Sequence, residues 1–343
     1  MTNTAKELSI AMLGMIEGNG HPYSWSAIIN GYDPVEMKKC PYPVIAEYLG
    51  RQPIEAVRVP GARVTHIWTD DPNDAPRVAA ASKIEHIVNA PEDVIGQVDA
   101  VIIATDDGND HVRRVRPFIE AGLPVFVDKP LATNLADLKQ FIAWQGAGTQ
   151  ILSTSGMRYM PELRQVQERQ NEIGEARWIT SFTCKSWERY GIHALEPIQA
   201  LLGPGFLTVQ KVWTRSTASP IREDVETVPT GSDIVHLTHR SGAQVTIAAI
   251  YDAYGSFGAM HIYGTKGHLP LSLRDTFTAF RAQLVGYIDM LRTNRPPVPF
   301  SETVELMAVI IAAIRSREQG GRVVPLQELF TELKQQNLYE TAS

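Results

Sequence analysis

The chain has 343 residues, 44% of them apolar and 20% charged, a length and balance that suit two globular domains and exclude a disordered or fibrous protein. Its 32 basic side chains against 38 acidic ones give a formal charge of -6, which offers no general attraction to nucleic-acid phosphates or anionic lipid. Neither nucleic acid nor a membrane is expected as a partner. The uncharged apolar stretch Leu306 to Ile314 has nine residues, about half of the ~20 a spanning helix needs, and reads as a buried helix. The opening Met-Thr-Asn-Thr-Ala-Lys-Glu leads straight into an apolar strand with no signal-peptide core, so a cytoplasmic protein is expected. Cys40 and Cys184 lie far apart without metal-ligand spacing, so neither a disulfide framework nor a metal site is expected.

In chain order, residues 1–150 alternate short apolar runs with helical patterns, as a parallel sheet covered on both faces requires. The expected strands are Leu8 to Gly14, Arg63 to Trp68, Ile84 to Val88, Ala100 to Ala104, Pro124 to Val127 and Ile151 to Thr154. Val112 to Ala121 and Leu135 to Trp144 repeat apolar residues at three and four, as crossover helices do. The fold class is therefore α/β, with an N-terminal doubly wound Rossmann domain. Residues 151–343 change texture: Trp178 to Cys184, Thr208 to Arg215, Asp233 to His239, Ala243 to Ile250 and Ala259 to Tyr263 alternate as a large, mostly antiparallel open sheet would. Gly264-Thr265-Lys266-Gly267 is expected to turn tightly on its glycines, and Ser301 to cap a helix that stops at Gly320-Gly321. The second domain reads as α+β, with substrate binding and assembly as its expected tasks.

The first strand ends at Gly14, where backbone N–H groups and a helix N-terminus would receive the pyrophosphate of a dinucleotide. The expected fingerprint is G-x-G-x-x-G, but Ile16 and Asn19 stand at the second and third glycine positions, so Gly18 and Gly20 would have to allow the approach through a longer loop. Asp70, after the second strand, suits the two hydroxyls of an adenosine ribose and would repel a 2'-phosphate, which favours NAD over NADP. It lies 56 positions beyond Gly14, where about 20 are usual, so a segment of about 18–60 has been inserted. That segment carries His21, Tyr23, Trp25, Tyr32, Tyr42 and Tyr48 and suits a lid, a substrate wall or a subunit contact.

Asp99-Ala-Val-Ile-Ile-Ala-Thr105, Asn109-Asp-His111 and Ala121-Gly-Leu-Pro-Val-Phe-Val-Asp128-Lys129-Pro130 resemble segments of the Gfo/Idh/MocA family, named after glucose-fructose oxidoreductase and inositol dehydrogenase. Gly156-Met-Arg158-Tyr159-Met-Pro161, Gly191-Ile-His193-Ala-Leu-Glu196 and Gly264-Thr-Lys-Gly267 extend the resemblance to most of the chain from about residue 60. It implies NAD(P)-dependent oxidation or reduction of a sugar, cyclitol or related polyol, with Lys129 and His193 at the reacting carbon. The chemistry agrees: hydride removal from a secondary alcohol needs a base for the hydroxyl proton and a positive group at the developing alkoxide. Thr105, Asp128 and Lys129 would join Gly14, Gly18, Gly20 and Asp70 at the cofactor, while Arg158, Arg189, Tyr190 and Glu196 would face the substrate. His111 is expected to pack or cap near the nicotinamide.

Two departures stand out. Asp128 occupies a position where the family usually has Glu, and Arg189 one where it commonly has Asp, which opens the site to an acidic sugar. The family's habit also implies a homodimer or homotetramer. Two other readings stay open: a lyase or hydrolase using transient redox on a retained NAD, and a non-catalytic regulator that senses nucleotide or sugar. The segments from Gly18 to Pro60 and Pro204 to Thr230 resemble the family least, and specificity is expected there.

Overall fold

The computed structural model describes residues 6–216 and 231–335. Residues 217–230, part of the second segment expected to carry specificity, lie outside them. Two compact units are present. The first comprises the chain up to Leu131, Gln140–Thr154 and Thr276–Phe300; the second comprises Ala132–Lys139, Ser155–Asp275 and the chain from Ser301 onward. Residues 276–300, counted with the C-terminal domain by sequence, thus belong to the first unit.

The first unit holds β1 (Leu8–Leu13), β2 (Ala62–Trp68), β3 (His86–Ile87), β4 (Ala100–Ile103), β5 (Val125–Val127) and β6 (Ile151–Leu152) in the order β3-β2-β1-β4-β5-β6. All five pairings are parallel. This is the expected doubly wound sheet. Its central strands β4 and β5 are buried along their whole length, which is why they read as continuous apolar runs rather than alternating ones. The order reverses beside β1, so the switch point where such sheets bind ligands lies between the C-terminal ends of β1 and β4.

The insertion folds into α1 (His21–Asn30), α2 (Pro34–Met37), α3 (Pro43–Gly50) and α4 (Ile54–Val57), each with a proline within one residue of its start. Tyr23, Trp25, Tyr32 and Tyr48 are buried in the core of the first unit, where Trp25 stacks on Phe126 with ring centroids 5.0 Å apart. They are core residues because four short helices, each too small to be stable alone, share one apolar centre with the helix Thr276–Thr293. Gly20 belongs to this packing. A Cβ there would lie 2.7 Å from both Ile45 and Tyr42.

The second unit holds β7 (Ala176–Cys184), β8 (Phe206–Ser216), β9 (Gly231–His239), β10 (Gln244–Ile250), β11 (Ala259–Gly264), β12 (His268–Ser272) and β13 (Val324–Pro325), ordered β12-β11-β7-β10-β9-β8-β13. The sheet is mostly antiparallel, as expected: β7 and β10 run parallel while every other pair is antiparallel. Sequence reading missed β12 and β13, the two outer strands, one interrupted by Pro270 and the other only two residues long. Buried Ile179, Val235, Leu237, Val245 and Ile247 alternate with more exposed neighbours, so one face is core and the other open.

The Gly264–Gly267 turn joins β11 to β12, closed by Gly264 N–H donating to Gly267 O at 2.8 Å. Its glycines are required by close approach, not by a left-handed backbone. A Cβ on Gly264 would lie 2.1 Å from Ile173 O, and one on Gly267 would lie 2.8 Å from Glu172 O. The last apolar helix starts at Phe300, after Pro299, and runs to Glu318, so Ser301 sits inside its first turn and does not cap it. Among the described residues no helix is long and apolar enough to cross a membrane.

Candidate active site

In the first unit, Gly14 ends β1 with φ of +90°, a conformation that side chains rarely adopt, and a Cβ there would meet Thr105 at 2.7 Å. The turn leaves the Met15 N–H donating to Asp70 Oδ2 at 2.9 Å, while Arg114 Nη2 donates to Asp70 Oδ1 at 2.6 Å. Each carboxylate oxygen keeps a second lone pair, and Asp70 is partly exposed, so it retains capacity for ribose hydroxyls. Leu13, Gly14, Trp68, Arg113 and Arg114 line a cavity at this end of the sheet. Thr105 is fully buried after β4, and its hydroxyl has no hydrogen-bond partner among the described residues. Gly18, also left-handed at φ +79°, lies in the loop that follows.

At the end of β5 the sequence Asp128-Lys129-Pro130 places two charged residues side by side, both almost inaccessible. Asp128 Oδ2 accepts from Asn19 Nδ2 at 2.8 Å and stands 2.6 Å from His21 Nδ1, while Oδ1 accepts from the Lys129 backbone N–H at 2.7 Å. Burial pushes the Asp128 carboxyl up, but His21 and Lys129 beside it outweigh that and hold it below the usual carboxylate range. Lys129 Nζ lies 3.5 Å from Asp106 Oδ2. His111 is fully buried, with Nε2 2.8 Å from Thr105 O and Nδ1 3.2 Å from Leu131 O. It braces the ends of β4 and of the Lys129 segment.

In the second unit, the helix Trp187–Leu202 carries His193 and Glu196 on one turn. His193 Nδ1 stands 2.7 Å from Ser155 Oγ, and Tyr190 and Phe257 meet its ring edge-on at 4.7 and 5.4 Å. With Nδ1–H donating to Ser155, Nε2 carries the lone pair that a general base needs. Glu196 Oε1 accepts from the Ser155 N–H at 3.0 Å, so one serine ties together the two residues that the motif spaces three apart. Arg158 donates to Glu196 Oε2 at 3.1 Å, to Gln199 Oε1 at 3.0 Å and to Glu302. Burial raises the Glu196 carboxyl above its ordinary value, against the pull of Arg158. Lys185 Nζ sits 4.3 Å over the Tyr190 ring, and Arg189, one residue before Tyr190, is half-buried.

These residues form two clusters, one in each unit. Gly14, Thr105, Asp70, Asp128 and Lys129 gather at the C-terminal edge of the first sheet; His193, Glu196, Arg158 and Tyr190 gather around Ser155. A dinucleotide fits the first cluster on three counts: a side-chain-free left-handed turn at the switch point, an orphaned buried hydroxyl on Thr105, and a carboxylate after β2. The model of the Gfo/Idh/MocA oxidoreductase family, described as an NAD-binding Rossmann fold, matches residues 46–151. Inositol 2-dehydrogenase 1 of Saccharopolyspora erythraea is 36% identical over 306 residues, covering 77% of this chain and 89% of that protein. The chain belongs to the Gfo/Idh/MocA family. Among solved structures, myo-inositol 2-dehydrogenase from Lactobacillus plantarum matches with a TM-score of 0.71 at 15% identity, covering 93% of this chain and 99% of the other. Myo-inositol dehydrogenase from Lactobacillus casei, in complex with NAD(H) and myo-inositol, matches with a TM-score of 0.68 at 16% identity, over 93% and 97% of the two chains.

Within that Gfo/Idh/MocA frame, sequence reasoning missed Ser155, Asn19 and the pairing role of His21. Ser155 directly precedes the Gly156-Met-Arg158 segment, and its position there was the only available signal. Asn19 stood in the altered glycine run, where it was counted as a missing glycine rather than as a donor to Asp128. Arg158 was expected to face substrate, yet its guanidinium is taken up by Glu196, Gln199 and Glu302.

Proposed function

We propose that the protein is an NAD-dependent dehydrogenase that interconverts a secondary hydroxyl of an inositol, or of a closely related cyclitol, with the corresponding ketone. The observation that carries this reading is the 36% identity to an inositol 2-dehydrogenase, in a chain that keeps Lys129 and His193. Bound NAD supplies the hydride acceptor. Lys129, held at the end of β5, sets a positive donor against the oxygen as it becomes an alkoxide. His193, with Nδ1 held by Ser155, takes the hydroxyl proton at Nε2. Arg158 keeps the helix bearing His193 in place through Glu196 and acts as a positioning residue. Arg189 and Tyr190, beside His193 in sequence, select among ring substituents.

Asp70 supports NAD over NADP, because a carboxylate that already accepts from Met15 N–H would meet a 2'-phosphate with like charge. Assembly as a homodimer or homotetramer is supported by the open face of the second sheet. There Trp178 stacks on Tyr263 with centroids 5.4 Å apart while both stay exposed, an aromatic patch of the kind buried at subunit contacts. The function is tested by reduced-nicotinamide absorbance with NAD and a panel of inositols, where a rise specific to one or a few isomers is expected.

A further inference from the structure

Asp128 is fully buried, and a carboxylate in that position needs donors on both oxygens. It finds those for Oδ2 on the segment after β1. Asn19 Nδ2 donates at 2.8 Å and His21 Nδ1 stands at 2.6 Å, both on Oδ2, while Oδ1 accepts from the backbone of Lys129 at 2.7 Å. Asn19 also donates to Ala104 O at 3.3 Å, which fastens the loop to the end of β4. The imidazole is fixed on its other sides: it stacks on Trp25 at 4.2 Å and meets Phe280 edge-on at 5.2 Å. The charged groups on its polar side are Asp128 and, beyond it, Lys129 and Asp106; the two aromatic rings packed on it are neutral.

We propose that Asn19 and His21 are positioning residues for Lys129, acting through Asp128, so that the loop at the nucleotide end of β1 and the backbone that carries the ammonium at the end of β5 form one hydrogen-bonded unit. The proposal explains the altered glycine run: side chains at Asn19 and His21 occupy a stretch that a glycine-only turn would leave bare. It rests on the reading of Lys129 as the group that polarises the substrate oxygen, but its geometry stands apart from turnover. Loss of either loop side chain leaves Asp128 short of a donor in a dry site, and the backbone of Lys129, which donates to that carboxylate, loses a fixed anchor.

The test compares wild type with His21→Ala, His21→Asn and Asn19→Ala. Asn is the conservative variant at position 21, because its amide nitrogen can stand where Nδ1 stood. Brief labelling with an amine-acylating reagent, read by mass spectrometry, reports the accessibility of Lys129, with buried Lys211 of the second unit as the internal control. His21→Ala and Asn19→Ala are expected to raise Lys129 labelling at least several-fold relative to Lys211, and His21→Asn to restore most of the protection. Steady-state kinetics should follow, with kcat of His21→Ala down about tenfold and NAD affinity, from tryptophan quenching, changed less than twofold. Unchanged Lys129 labelling in His21→Ala, or labelling of Lys129 and Lys211 rising together, overturns the proposal. If labelling behaves as expected while wild type oxidises no cyclitol, the positioning inference stands and the functional reading fails.

Discussion

Ser155 Oγ and His193 Nδ1 stand 2.7 Å apart, and the same serine donates its backbone N–H to Glu196 at 3.0 Å. A residue outside every recognised motif therefore holds the ring orientation of the imidazole. Ser155→Ala should lower kcat about tenfold, the equivalent of about 1–1.5 kcal/mol for one hydrogen bond, with substrate KM changed much less. Steady-state kinetics check this. An unchanged kcat would show that the serine does not orient the base.

The buried Arg158–Glu196 pair gives a stability prediction with a definite sign. Burial raises the folded pKa of Glu196 over the opposition of Arg158, so its contribution is fully present below the unfolded glutamate value of about 4.3 and is lost as pH rises through the folded value. Urea unfolding of Glu196→Gln should accordingly show a shallower loss of stability than wild type between pH 4 and neutrality. Arg158→Met should cost about 3–5 kcal/mol at neutral pH, because it strips a charged partner from a buried carboxylate.

Most of the fold was legible because its signals are local. Runs such as Ala100–Ile103 and Val125–Val127 are apolar throughout, as only strands covered on both faces can be, and the alternation from Ala176 to Cys184 marks a half-open sheet. The parallel pairing of β7 with β10 was not legible, since strand direction depends on which segments meet and not on their own pattern. The packing of the insertion was not legible for a related reason: aromatic residues among prolines look the same whether they pave a surface or fill a core. At the site, Lys129 and His193 stood out through motif chemistry. Ser155, the partner of His193, and Asn19 and His21, the partners of Asp128 beside Lys129, act over 38, 109 and 107 positions, distances at which sequence carries no pairing signal.

Cofactor choice is expected to hinge on Asp70. Asp70→Ser removes the acceptor for the ribose hydroxyls and the charge that opposes a 2'-phosphate, while Arg114 stays at hand. The ratio of kcat/KM for NAD over NADP should fall at least tenfold. An unaltered ratio would place the adenosine ribose elsewhere.

Assembly is open to a direct check on the exposed aromatic patch. The double variant Trp178→Lys and Tyr263→Lys should lower the mass seen by light scattering to that of a smaller species without loss of helical signal. An oligomer of unchanged mass would move the contact to another face.

The claim on which the rest depends is that Lys129 and His193 carry out NAD-linked oxidation of a cyclitol. The most direct measurement is reduced-nicotinamide absorbance during incubation with NAD and individual inositols, with wild type, Lys129→Ala and His193→Ala side by side. The account predicts a steady rise for wild type on at least one isomer and a fall of about 10²-fold or more in both variants, with dinucleotide binding retained. No rise with any inositol, or variants that turn over as wild type does, would contradict it.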